Sequence, residues 1–226
     1  MTKYKNILLL IGSPKAERST SASIGNYLIS KLEESGMQFE KAFIHRLVNR
    51  EEKLHSLIDM INKADLLVLS FPLYVDSLPA PVVKAMEFIK EHLGKIQNNQ
   101  SKDFITICNS GFPEASQSTV ALKICHIFSK TCGFTWKSGF AIGGGGAING
   151  RPLESIGGMV RYIIAGLDLT AQAILEGKEI PQEAIDVVSK PFMPRYFYIH
   201  GGNVGWRIQT RKYSGEKKIK DKPYLN

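Results

Sequence analysis

The sequence predicts an α/β fold, a parallel sheet with helices packed on both of its faces. Three observations carry this. Apolar runs of strand length occupy residues 6–11 and 65–71, the composition of strands buried on both sides. Segments with apolar residues at helical spacing follow them. Strand and helix patterns alternate five times along the 226 residues, and right-handed connections of that kind place helices on both faces of a sheet.

Residues 6–11 (Asn-Ile-Leu-Leu-Leu-Ile) form the first strand. Over 21–34 the period changes: Ile24, Leu28 and Leu32 recur every four residues and Gly36 supplies a C-terminal cap. Residues 39–44 are the second strand, and Leu54, Leu57, Ile58 and Ile61 mark a short helix. After the third strand (65–71), Pro81 starts a helix in the first turn, where its missing N–H costs nothing; Val82, Met86, Ile89 and Leu93 are its stripe. Residues 103–108 read as strand, and Val120, Ile124, Ile127 and Phe128 as the next helix. Residues 134–142 are the fifth strand, and Ile156, Val160, Ile163, Ile164, Leu167 and Ile174 carry a last long helix. A helical turn near 181–189 and an irregular tail follow. Residues 1–190 are expected to form one domain, with 191–226 an extension packed on it.

With 43% hydrophobic residues, a chain of this length buries enough surface to fold without disulfides or metal. Cys108, Cys125 and Cys132 are odd in number and contain no CxxC pair, which argues against a disulfide framework, a zinc site or a four-cysteine cluster. Buried free thiols in a reducing cytoplasm are expected. No signal peptide is visible, and Arg161 interrupts the most apolar later segment, so no membrane partner is expected. Of the net charge of +8, the stretch from Arg207 onward holds seven Lys/Arg against two acids. That concentration reads as a solvated basic tail or a minor attraction for a phosphorylated dinucleotide, not a nucleic-acid interface.

In an open parallel sheet, ligands bind outside the carboxyl ends of the strands. After strand one, Gly12-Ser13-Pro14-Lys15-Ala16-Glu17-Arg18-Ser19-Thr20-Ser21 leads straight into a helix. A helix N-terminus suits a phosphate; Ser13, Ser19, Thr20 and Ser21 add hydroxyls, and Lys15 and Arg18 add charge. The blander alternative is a Ser-rich loop that only caps the helix. With neither GxGxxG nor GKS/T present, a single terminal phosphate is favoured over a pyrophosphate or an NTP. After strand three, the proline-stiffened loop offers Pro72, Leu73, Tyr74 and Val75 as a flat wall for a planar heteroaromatic ring, unless Tyr74 packs into the core. After strand four come Asn109, Ser110, Gly111 and Phe112. After strand five, Gly143, Gly144, Gly145 and Gly146 leave the backbone bare, at a conformational cost that a purely structural loop explains poorly.

These segments, GSPKAERSTS, FPLYVDSLPAP and NSGFPEASQ, with GFTWKSGFAIGGGGAI and the long helix, resemble the flavodoxin-like NAD(P)H-dependent FMN reductase family over nearly the whole chain. Lys15 stands where arginine is common. The resemblance implies a three-layer sandwich with a five-stranded parallel sheet in the order 2-1-3-4-5 and a C-terminal extension. It implies FMN as cofactor and NAD(P)H as co-substrate. Ser13, Lys15, Arg18, Ser19, Thr20 and Ser21 would hold the phosphate. Pro72, Leu73, Tyr74 and Val75 would border the isoalloxazine, and Asn109, Ser110 and Gly111 its pyrimidine side, with Phe112 and Gly144 close by. The cysteine cluster of some relatives is missing, so an iron–sulfur centre is not carried over.

In this reading the flavin does the chemistry and no catalytic side chain or metal is required. Hydride passes from NAD(P)H to a small acceptor: a flavin, a quinone, an azo or nitro compound, or a metal ion. His45, His55, His92, His126 and His200 are structural or surface residues. Two rivals are an electron-carrier flavodoxin serving a protein partner, against which stand the positive charge and the extra C-terminal region, and a non-catalytic flavin sensor. A homodimer closing over the flavin is expected from the resemblance and from Phe112, Trp136, Phe140 and Trp206. Residues 195–200 are too aromatic for a disordered linker, and 201–206 read as an ordered turn carrying an indole. This segment is expected to fold over the site, with Arg207 or Arg211 steering the dinucleotide phosphate. The stretch from Lys212 onward is expected to be mobile.

Overall fold

Alternate residues of each central strand face opposite helical layers, and both sets are apolar. In β1 (Asn6–Ile11), Leu8 and Leu10 enter one core while Ile7, Leu9 and Ile11 enter the other. β3 (Leu66–Pro72) divides the same way, with Leu67, Leu69 and Phe71 on the first side and Leu66 and Val68 on the second. Burial on both faces is the physical reason these runs show no polar–apolar alternation. The computed structural model describes residues 4–96 and 102–212. In it, β2 (Gln38–Phe43), β4 (Asp103–Asn109) and β5 (Thr135–Ile142) complete an all-parallel sheet in the order β2-β1-β3-β4-β5.

One layer consists of the short α2 (Ile44–Leu47) with α3 (Glu51–Lys63), α4 (Ala80–Glu91) and α5 (Thr119–Thr131). The other holds α1 (Thr20–Glu33), α6 (Arg161–Leu175) and α7 (Gln182–Val188). This is the flavodoxin-like sandwich the sequence leads one to expect. Gly25 lets α1 approach β1, because a Cβ there would stand 2.8 Å from Leu9 Cδ1.

Three elements differ from the sequence reading. The last long helix starts at Arg161 and not at Ile156, since Gly157 takes a φ of +72° and breaks the run into 3-10 turns. Counted together, residues Gly157–Leu175 are long and apolar enough to cross a membrane by length and composition, which the interruption at Arg161 does not prevent. Here the helix instead buries Ile163, Leu167, Ala171 and Ile174 in the second core. In α5, Ala121, Cys125 and Ser129 face inward and Phe128 packs against the first core, while Val120, Ile124 and Ile127 are exposed.

The chain divides into two compact units, Met1–Phe192 and Met193–Asn226. Within the second, α8 (Arg195–Lys212) is one continuous helix with no buried residue. The sequence reading of an irregular tail with a turn at 201–206 is corrected by this helix. Each of Gly201, Gly202 and Gly205 lowers helix propensity by about 1 kcal/mol, but propensity is a weak prior and glycine still adopts the helical conformation. Lys212 ends that helix. The rest of the stretch expected to be mobile, from Tyr213, lies outside the described residues.

Candidate functional site

A cleft of about 210 Å³ opens where the loops after β1, β3, β4 and β5 converge, at the carboxyl ends of the strands. It is lined by Ser13, Lys15, Arg18, Ser19, Thr20 and Ser21 from the first loop. Pro72, Leu73 and Tyr74 come from the loop after β3, and Asn109, Ser110 and Gly111 from that after β4. Gly145, Gly146 and Asn149 complete the wall. Four segments far apart in sequence thus meet because parallel strands all point their carboxyl ends the same way.

The first loop descends through a 3-10 turn (Ala16–Arg18), with Ala16 at φ +49°, into the N-terminus of α1. Ser19 is the N-cap: its Oγ accepts from the Ala22 N–H (3.1 Å) and donates to the Ala16 carbonyl (2.6 Å). Thr20 Oγ1 donates to the Gly145 carbonyl at 2.8 Å, and Ser21 Oγ accepts from Asn109 Nδ2 at 2.7 Å. Ser13 Oγ accepts from the Lys15 N–H at 3.3 Å, so all four hydroxyls expected to meet a phosphate already have a partner within the protein. What the helix end offers is the pair of first-turn N–H groups on Thr20 and Ser21, which take no backbone partner among the described residues. Beside them stand the exposed Lys15 and Arg18.

Among the described residues, no carboxylate lines the cleft. Glu17, between the two cations in sequence, is turned to Arg46, whose guanidinium forks onto both its oxygens at 2.8 Å. That contact holds the Glu17 carboxyl below the usual carboxylate range. No described histidine or cysteine lines the cleft either. Burial pushes the thiols of Cys108 and Cys132 up, to about 12 and about 11, and raises Cys125 as well, so these three unpaired cysteines are inert core residues.

The loop after β3 ends in a two-residue reverse turn. Tyr74 and Ser77 exchange both backbone hydrogen bonds (2.9 and 3.0 Å) around Val75 and Asp76, which both adopt positive φ, +49° and +57°. A β-branched residue in that region is strained, and Val75 is 98% exposed at the tip. Tyr74 is exposed on the cleft wall, not packed into the core.

Of the residues expected at the site, Val75, Phe112 and Gly144 stand outside the wall. Phe112 is exposed on the β4 loop, and its carbonyl accepts the Gly144 N–H at 2.7 Å. Gly144 itself, at φ +69°, lies against Phe192. The glycine run lets two loops meet backbone to backbone: a Cβ on Gly143 would stand 2.4 Å from the Pro113 carbonyl oxygen, and the Gly145 N–H donates to the Ser110 carbonyl at 2.8 Å. Of the aromatics expected near the site, Phe140 is fully buried in the second core, and Trp136 packs near the amino end of β5 against Phe104 and His126. Neither is at the cleft. Gly145 and Gly146, from the glycine run expected after strand five, do line the cleft, whereas Asn149 is an addition. Asn149 takes φ +49° next to Gly150 at +75°, and Gly150 lies against the Arg18 backbone, where a Cβ would meet the carbonyl oxygen at 2.4 Å. The Asn-Gly pair was the signal available in the sequence.

The geometry fits a ligand with one anionic group and one flat ring. The anion would face the α1 N–H groups with Lys15 and Arg18, and the ring would lie along Pro72, Leu73 and Tyr74.

No family model matches the sequence, and no curated protein matches it. Solved structures do share the fold. A flavone reductase aligns over 94% of this chain and 93% of its own, at 11% identity and a TM-score of 0.57. An FMN-dependent NADH-azoreductase from Bacillus anthracis, in complex with FMN, aligns over 76% of this chain and 100% of its own, at 10% identity and a TM-score of 0.56. An NAD(P)H:quinone oxidoreductase from Methanothermobacter marburgensis aligns over 75% and 96%, at 13% identity and a TM-score of 0.54. At these identities the likeness is one of fold.

Proposed function

We propose that this chain is an FMN-dependent oxidoreductase that passes hydride from NAD(P)H through bound FMN to a small acceptor. The carrying observation is the cleft at the N-terminus of α1, whose described lining holds no carboxylate and where the Thr20 and Ser21 N–H groups, with no backbone partner, stand beside Lys15 and Arg18. That fits a monophosphate flavin better than a dinucleotide. Proteins of this fold include an azoreductase with FMN bound and a quinone oxidoreductase, which supports the same reading.

FMN bound there would supply two-electron chemistry between a nicotinamide and the acceptor. The protein's part is binding and orientation. The N–H groups of Thr20 and Ser21, with Lys15 and Arg18, hold the phosphate, and Pro72, Leu73 and Tyr74 support the ring. Ser110 and Gly111 border the same cleft.

Steady-state NAD(P)H oxidation by the purified protein with FMN and a panel of flavin, quinone, azo, nitro and metal-ion acceptors tests this directly. Turnover with small acceptors is expected. Turnover only with an added protein reductase would make the chain a carrier, and none under either condition a sensor.

A homodimer belongs to the same reading. Its support is the exposed face of α5, where Val120 (56% exposed), Ile124 (37%) and Ile127 (64%) form a stripe at helical spacing, with Phe112 on the loop before the helix. Exposed apolar stripes on otherwise well-packed helices mark interaction surfaces. Light scattering should give a dimer at micromolar concentration and a monomer for Ile127→Glu; a monomeric native protein with FMN bound would remove this part. A reducing, cytoplasmic compartment is proposed on the three unpaired buried thiols, and cell fractionation that recovers the protein outside the cytoplasm would contradict it.

A further inference from the structure

The polar side chains behind the first turn of α1 form one connected, buried network. Asn109, the last residue of β4, is 5% exposed. Its Nδ2 donates to Ser21 Oγ at 2.7 Å and to the Phe71 carbonyl at 3.0 Å, so both amide protons are committed to protein. Ser70, fully buried on β3, donates from Oγ to the Ser21 carbonyl at 2.8 Å. Thr20 Oγ1 reaches across to the Gly145 carbonyl. The first turn of α1 is thereby fastened to the ends of β3 and β4 and to the glycine loop. Buried away from water, such bonds are strong and hold a single geometry.

The consequence concerns which end of the ligand Asn109 serves. Its donors point toward α1 and β3, and what they fix is the direction of the Thr20 and Ser21 N–H groups, the groups that face the anion. We propose that Asn109 is a positioning residue for the phosphate end of the cleft: through Ser21 it holds the α1 N-terminus ready for a phosphate monoester, and it does not read the flavin ring. This departs from the family-based expectation that Asn109 borders the pyrimidine. It deepens the flavin reading above and rests on it.

FMN and riboflavin carry the same ring and differ by the phosphate, so their affinities separate the two roles. Binding of each to the full-length apoprotein is measured by quenching of flavin fluorescence, for the native chain, Asn109→Ala, Ser21→Ala and the double variant. Asn109→Ala should weaken FMN about tenfold, the size of a hydrogen bond lost to a charged group, with riboflavin affinity unchanged. Ser21→Ala should reproduce this, and the double variant should be no worse than either single one, because the two residues act as one link. Parallel losses for FMN and riboflavin would place Asn109 on the ring and overturn the inference. A lower melting temperature with an unchanged FMN-to-riboflavin ratio would make its role merely structural and overturn the inference equally. Where Asn109→Ala does not fold, the ratio for Ser21→Ala decides alone. A native chain that binds neither flavin overturns the flavin reading, and this inference with it. A native chain that binds FMN while the variants fail these ratios overturns this inference alone.

Discussion

The two ends of the sheet carry similar polar groups and use them differently. At the amino end, the Tyr4 hydroxyl donates to Asp103, and Lys102 Nζ donates to the Asn62 and Ala64 carbonyls at 3.1 and 2.9 Å. Asp65 accepts the N–H groups of Lys5 and Asn6 at 2.8 and 2.9 Å. Burial raises the Tyr4 pKa and lowers that of Lys102. These groups bond to one another and to nearby backbone. At the carboxyl end, helix N–H groups and two cations converge with no carboxylate among the described lining residues. Size does not tell the ends apart in favour of the site: a hollow of about 530 Å³ opens beside Tyr4 and Gln38, against about 210 Å³ for the cleft. Unanswered donors, not volume, identify where a ligand belongs.

Substitutions at the two ends should therefore separate stability from binding. The largest effect is expected for Gly150→Ala. A side chain there combines a positive φ with a Cβ 2.4 Å from the Arg18 carbonyl oxygen. It should cost about 3 kcal/mol of stability in urea unfolding and displace the phosphate loop, lowering FMN affinity as well. An unchanged FMN affinity would show that the 147–150 loop does not shape the site. Next, Lys15→Gln with Arg18→Gln should weaken FMN by about ten- to a hundredfold, more at low than at high salt, while the melting temperature holds. At the opposite end, Tyr4→Phe should cost about 1.5 kcal/mol of stability and leave the FMN dissociation constant unchanged. A shift in that constant would break the division of labour.

The last effect is one of pH. The thiols of Cys108 and Cys132 are raised to about 12 and about 11 from an ordinary value of 9.0. An acid whose folded pKa is raised contributes stability that is complete below its unfolded pKa and is lost as pH rises through the folded one. Stability should thus fall between about pH 9 and pH 12. At pH 8 a thiol reagent should modify no cysteine in the native protein and three after denaturation; rapid native labelling would contradict the burial.

The central strands β1 and β3 were legible because burial on both faces leaves an apolar run, and the loop after β1 because a Ser-rich segment falls between a strand and a helix. The partners of those hydroxyls were not legible. Ser21 meets Asn109 and Thr20 meets Gly145 only after the sheet has brought distant loops together. The face of α5 was equally hidden, since Val120, Ile124 and Ile127 have the same spacing whether they meet a core or a second molecule. Trp136 and Phe140 were misplaced for a related reason: a residue's height along β5 and the face it takes decide whether it reaches the cleft, and both lead these two into the protein interior.

The central claim is that the carboxyl-end cleft holds a flavin with a single phosphate. The most direct measurement is to denature the purified protein and identify and count the released flavin by chromatography. The expected result is one FMN per chain, with FAD much more weakly bound on reconstitution. Recovery of mostly FAD, or of no flavin even after incubation with excess FMN, would contradict it.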